Sequence, residues 1–191
     1  MINKNMSNVE AAGQYKRPTP GGHIMKIVKV RNNEQKETLE LSLDFTEGEL
    51  NDYYKQLNER FGFWGSRTNK SYKEKALPFF RAFIEAVMES NTDTDGLVIG
   101  DYESIDETKL EGKLIGVVVG EREYTGNDGL QKTGLDWYNA KFVPVSDIRE
   151  GNYTVPELRK AADQSSTASG GVVVATGDME FGPVDDKDIP F

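Results

Sequence analysis

The sequence predicts a mainly β domain with a helical insertion, an OB-fold-like small antiparallel barrel followed by a disordered acidic C-terminal tail. Three patterns carry that prediction. Leu39, Leu41, Leu43 and Phe45 alternate with Glu40, Ser42 and Asp44, the period-2 signature of a strand buried on one face. Leu114 to Tyr124 contains Val117-Val118-Val119, which suits a strand buried on both faces. It runs into Gly126-Asn127-Asp128-Gly129, residues that tolerate positive φ and reverse the chain into a hairpin. Between these two strand regions, Ala76, Phe79, Phe80, Phe83, Ile84, Val87 and Met88 recur at helical spacing and mark a helix with one broad buried stripe.

The elements follow in chain order. Residues 1–21 are polar, and the run Arg17-Pro18-Thr19-Pro20-Gly21-Gly22 punctuates them, so they read as a flexible arm. Ile24 to Arg31 is a first strand, paired in a hairpin with the alternating segment that ends at Phe45. Glu49 to Phe61 is a short amphipathic helix with Leu50, Tyr53, Tyr54, Leu57 and Phe61 on one side, and a Gly-rich aromatic loop, Gly62 to Ser66, follows it. Pro78 belongs in the first turn of the central helix, because one turn deeper it would clash with a preceding carbonyl. Asn91 to Lys109 is acidic and irregular except for a short strand at Leu97-Val98-Ile99. Leu130 to Val145 is the strand returning from the hairpin, and Asp147 to Leu158 closes the domain. The domain therefore spans 22–160. From residue 161 to 191 the chain is a Ser/Gly linker, Gln164 to Gly171, an isolated apolar run Val172-Val173-Val174, and an acidic terminus.

Composition removes most enzyme classes. The chain has 191 residues, no Cys and one His, His23, so thiol chemistry and zinc or iron–sulfur sites lack their ligands. Neither the dinucleotide fingerprint nor the phosphate-binding P-loop occurs, and no nucleophile-elbow Ser stands ready for His23. Catalytic residues, metal ligands and cofactors are accordingly not expected. The acidic loop with Asp101, Glu103, Asp106 and Glu107 leaves a metal-dependent nuclease as a distant alternative. No apolar run reaches the roughly 20 residues of a membrane span, and the first 21 residues lack a secretory apolar core, so a cytoplasmic location is expected.

The net charge of -9 hides a division. From Tyr53 to Phe83 seven basic residues stand against two acidic ones, while from Ala161 to Phe191 six acids face Lys187 alone. In the basic segment the cations are interleaved with rings, the pairing by which single-stranded nucleic acid is bound: cations track phosphates and aromatic faces stack on bases. Arg60, Trp64, Arg67, Lys70, Tyr72 and Lys73 are the candidates there. Phe79, Phe80 and Phe83 are assigned to the core by their helical period. A second set lies on the later hairpin: Arg122, Tyr124, Lys132, Trp137 and Lys141. Neighbours on a strand point to opposite faces, so one of Trp137 and Tyr138 looks outward.

The chain closes on Asp185-Asp186-Lys187-Asp188-Ile189-Pro190-Phe191 after its linker. This ending resembles the C-terminal tip of bacterial single-stranded DNA-binding proteins, an acidic stretch finishing in Asp-Ile-Pro-Phe. Lys187 interrupts acids that the family keeps uninterrupted. The resemblance implies that Asp185, Asp186, Asp188, Ile189, Pro190 and Phe191 recruit replication, recombination or repair proteins. The body, with Glu59-Arg60-Phe61-Gly62-Phe63-Trp64, Ser71 to Phe80 and Gly151 to Leu158, resembles instead a phage- and prophage-encoded group from Gram-positive bacteria. That likeness brings no site residues with it. The expectation is a non-enzymatic protein that coats single-stranded DNA in the host cytoplasm and recruits partners through its tip. A homo-oligomer is compatible with it. The alternative is a phage recombination mediator or structural protein whose tail binds a partner while the body has no DNA affinity.

Overall fold

The computed structural model describes residues 5, 7, 17–126 and 128–161. The acidic tip from Asp185 to Phe191, the Val172-Val173-Val174 run and most of the N-terminal arm lie outside the described residues. The chain is mainly β, a curled five-stranded antiparallel half-barrel with few helices. Its strands are β1 (Gly21–Asn33), β2 (Thr38–Phe45), β3 (Arg67–Ser71), β6 (Leu114–Val119) and β9 (Lys141–Val143), in the spatial order β3-β2-β1-β6-β9. Two short ribbons complete it: β4 (Val98–Ile99) with β5 (Ser104–Ile105), and β7 (Glu121–Thr125) with β8 (Gln131–Leu135). The helices are α1 (Tyr53–Phe61), α2 (Leu77–Ser90) and α3 (Val145–Glu150).

The alternation in β2 behaves as its pattern requires: Leu39, Leu41, Leu43 and Phe45 all turn into the core against Met25 and Ile27 of β1. In β1 the register with β2 slips between Ile27 and Lys29, a β-bulge at Val28. The bulge inserts one residue and reverses the parity of everything after it. Val30 therefore packs against the core opposite Leu41, while Lys29 and Arg31 face out opposite Ser42 and Glu40. Gly116 is where β6 meets α3; a Cβ there would come within 2.7 Å of the Ile148 side chain and of the Val143 carbonyl. β6 is covered on both faces by α2 and α3, as its Val117-Val118-Val119 run suggests.

Several expected elements are redrawn. The segment read as wholly helical and looped contains β3, Arg-Thr-Asn-Lys-Ser, an edge strand with no apolar alternation whose conformation comes from pairing with β2. The strand expected over Leu114–Tyr124 breaks at Gly120, where Pro156 occupies the space of a side chain, and its second half joins the separate β7–β8 ribbon. Leu130 to Val145 is not one strand but β8, a 3-10 turn over Trp137–Asn139, β9 and the start of α3. The hairpin turn at Gly126–Gly129 is as expected. So is Pro78, in the first turn of α2. Phe79 departs from its expected burial: about 100° around the helix from Phe80, it falls at the edge of the stripe and is 76% exposed.

α1 begins with a device that its local sequence hides. Asp52 precedes it, yet its side chain makes no capping bond. The acceptor is Asp44, from the end of β2: its carboxylate accepts from the backbone N–H of Tyr54 and of Lys55, each at 2.9 Å, and from its own neighbour Phe45 at 2.9 Å. This satisfies donors at the helix start that would otherwise be orphaned. Asp44 is 1% exposed. Burial raises its pKa, and the three N–H groups oppose that rise.

Candidate nucleic-acid interface

Register decides which cations share a face. Residues directly opposite one another across a ladder point the same way. Lys29 lies opposite Ser42, which lies opposite Arg67, so one row crosses three strands on the outer face. The next row is Arg31, Glu40 and Asn69. Lys29, Arg31 and Arg67 are exposed. A carboxylate oxygen of Glu40 lies 3.7 Å from Arg31, which tempers but does not cancel the local positive charge. Lys29 and Arg31 were not among the sequence candidates. Without the bulge they would share the inward parity of Met25 and Ile27, and only the break in spacing at Val28 hints otherwise.

Lys70 takes the opposite side from Arg67. It pairs with Leu39, inside the half-barrel, and its Nζ lies 3.9 Å from the centroid of the Phe142 ring and 6.0 Å from that of Phe83. This contact joins the two free edges of the sheet, β3 and β9. Burial pushes the ammonium down to about 8, and the ring face acts in the opposite sense by favouring the cation. Such a side chain is half-buried, points inward and bridges the two edges of the half-barrel.

The rings are also redistributed. Trp137 is 8% exposed and sits against Phe45 and Tyr54, with ring centroids at 6.2 and 5.9 Å. Tyr138, at 53% exposure, is the one that looks outward; both rings sit in a 3-10 turn, so their opposition comes from that turn and not from strand alternation. The turn carrying both packs against β3. Trp64 is half-buried; its indole N–H donates to the Leu43 carbonyl at 2.9 Å and to Ser66 Oγ at 3.1 Å, so it fastens a loop to β2. Gly65 permits that approach, since a Cβ would lie 2.8 Å from the Tyr54 ring. Tyr72 is half-buried too, its hydroxyl donating to Asn32 Oδ1 at 2.8 Å and its ring set 5.8 Å from Phe80.

The remaining candidates fall in separate places. Arg60 is exposed in the last turn of α1, and Lys73 is half-buried ahead of α2. Arg122, Tyr124 and Lys132 belong to the β7–β8 ribbon, where Tyr124 stands opposite Lys132 and Lys132 pairs with Asp128 at 3.4 Å. Lys141 is exposed on β9. Arg67, Lys29 and Arg31 thus form one outer face, with Tyr138 carried by a turn that packs on its β3 edge. Lys70, Trp64 and Trp137 leave the outward set because each is held by the core. His23 is accounted for locally: its Nε2–H donates to the Thr19 carbonyl at 2.8 Å and its ring meets Phe45 edge-on.

In the acidic loop, Asp106 accepts from Thr108 N and Oγ1, and Glu107 accepts from Asn32 Nδ2. Among the described residues no group of three or more His, Cys, Asp or Glu side chains is placed to hold a metal. Among the same residues no helix is long and apolar enough to cross a membrane. The chain matches no protein-family model, and a search of curated proteins finds no relative.

Proposed function

We propose that this chain is a non-enzymatic single-stranded DNA-binding protein built on an OB-type barrel, which coats DNA with its outer sheet face and recruits replication, recombination or repair proteins through its C-terminal tip. The strand order β3-β2-β1-β6-β9, with α2 inserted between β3 and β6, supports the fold part of this reading. An OB-fold is a five-stranded, partly open barrel that binds oligonucleotides on the face of its second and third strands and with the loops joining strands 1–2 and 4–5. Here the corresponding face is β2–β3, and the connection from β6 to β9 is the β7–β8 ribbon with Arg122, Tyr124 and Lys132.

The observation that carries the reading is the cross-strand row of Lys29, Ser42 and Arg67 beside Arg31 and Asn69, on the outside of β1–β3. Lys29 and Arg67 stand on either side of β2, two strand spacings or about 9–10 Å apart, a separation that a phosphate backbone crossing the sheet can follow. The test is fluorescence anisotropy of labelled oligo-dT over a salt series. Binding is expected to weaken with salt, and the triple change Lys29→Ala, Arg31→Ala and Arg67→Ala to flatten the log–log slope by about 2, at roughly 0.7 per phosphate contact. No affinity at low salt, or an unchanged slope, overturns the assignment.

A second reading, a phage recombination mediator or structural protein without DNA affinity, draws support from Glu40, whose carboxylate stands in the middle of the proposed face. The same titration separates the two. Adding magnesium and following oligonucleotide length tests the nuclease alternative at the same time.

A further inference from the structure

A cavity of about 700 Å³ opens at the N-terminal end of α2, bounded by the β4–β5 ribbon and the start of β2. Its lining is apolar and aromatic, with Leu39, Phe80 and Ile84 beneath and Tyr72, Tyr102 and Ile105 at the sides. That size and lining are those of a binding pocket. Leu77 at its edge is exposed, so the apolar surface reaches the rim of the cavity.

Charge states what kind of partner fits. Asp101, Glu103 and Glu107 line the cavity, and Glu34 and Glu37 join Glu107 in raising the pKa of the Tyr72 hydroxyl, after burial itself. The one cation of the lining, Arg81, is already engaged: its Nε donates to Glu85 at 2.9 Å and its guanidinium lies 4.1 Å from the centroid of the Tyr102 ring. Lys73 and Lys75 stand on the preceding turn and do not line the cavity. A nucleic-acid backbone is repelled here. The ribbon is also shaped for a fixed wall, with Gly100 at φ +63° and Tyr102 at +60° reversing the chain over four residues.

We propose that this cavity is a second protein-docking site, distinct from both the basic outer face and the acidic tail, which accepts a short basic segment of a partner protein with a Leu or Phe anchor in the cavity and flanking Lys or Arg against Glu103, Glu107 and their neighbours. Recognition of this kind sets an apolar anchor in a pocket and leaves the charges at the rim to orient it. The site is independent of DNA binding, so its test uses no DNA.

The experiment titrates the full-length, ¹⁵N-labelled chain with three blocked peptides and reads amide shifts. The first is Gly-Lys-Lys-Leu-Phe-Lys-Lys-Gly; the second replaces each Lys by Glu; the third replaces Leu-Phe by Ala-Ala. The first peptide alone is expected to move the amides of Tyr72, Tyr102 and Ile105. The exposed pair Asp101→Lys and Glu103→Lys is expected to weaken it at least tenfold, and Leu77→Ser, at the rim, to weaken it severalfold, both with the remaining spectrum intact. Equal binding by the Ala-Ala peptide overturns the proposal, since it reports only attraction to an acidic chain. So do shifts that map elsewhere, an unchanged affinity in both variants, or indole moving the same amides while the basic peptide moves none.

Discussion

Lys70 and Arg67 stand three positions apart on one short strand and face opposite ways, which makes a pair of substitutions decisive. In Lys70→Met the side chain keeps its length and loses its charge, and no hydrogen-bond partner is stranded, because the ammonium is held by the rings of Phe142 and Phe83. Burial lowers its pKa from 10.5 to about 8, which corresponds to about 3 kcal/mol against the charged form at neutral pH. The ring face returns about 1–2 kcal/mol of that. Lys70→Met is therefore expected to stabilise the protein by about 1–2 kcal/mol, a rise in Tm of roughly 2–8 °C for a chain of this size. The pH dependence gives the sharper reading. Below pH 8 both folded and unfolded chains carry the proton and the full penalty is present. Between 8 and 10.5 the folded chain releases it while the unfolded chain keeps it, so wild-type stability gains up to about 1.4 kcal/mol per pH unit from this group. Tyr53, Tyr54 and Tyr72, whose pKa values are raised, act in the opposite direction only above about 10 and cancel in the difference between the two proteins. Urea unfolding at steps from pH 7 to 10 should show the advantage of Lys70→Met shrinking as pH rises. Arg67→Met, in contrast, should leave stability unchanged and reduce the salt slope of oligo-dT binding by about 0.7. A Lys70→Met protein that is less stable with an unaltered pH profile, or that loses salt dependence as Arg67→Met does, would refute the inward placement of Lys70.

Asp44→Ala removes the acceptor for three backbone N–H groups and should cost about 2 kcal/mol in urea unfolding, with Asp44→Asn costing less because its amide oxygen still accepts. Trp137→Ala should destabilise by about 3–5 kcal/mol, whereas Tyr138→Ala should leave Tm in place and weaken oligo-dT binding by about 1–3 kcal/mol; reversed effects would exchange their roles. Arg159 ties the chain to β7 through Glu123 N and Glu121 O, beside the ribbon with Arg122 and Lys132. Deleting residues 183–191 should tighten oligo-dT binding at low salt, with the gain fading as salt screens the competition; an equal affinity at every salt concentration would separate tail from binding face.

Local spacing was enough for part of the fold. The inward set of β2, the buried run of β6, the turn at Gly126–Gly129 and Pro78 in the first turn of α2 follow from it and from backbone chemistry, whereas the burial expected of Phe79 and the single strand expected over Leu130 to Val145 do not hold. The recruiting role proposed for the terminal residues rests on sequence alone. What only the tertiary structure decided is parity and partnership. β3 has no apolar alternation, so nothing local marks it as a strand, and unless it is known to be one Arg67 and Lys70 cannot be assigned to opposite faces. The bulge at Val28 turns Lys29 and Arg31 outward by adding one residue, a change that register with β2 reveals and composition does not. Asp44 caps a helix ten residues downstream in place of the adjacent Asp52, because the fold brings the end of β2 to the start of α1. Trp137 rather than Tyr138 is buried because the aromatic cluster of Phe45 and Tyr54 receives it. Long-range packing, and not a strand period, chooses which of the two rings is inside.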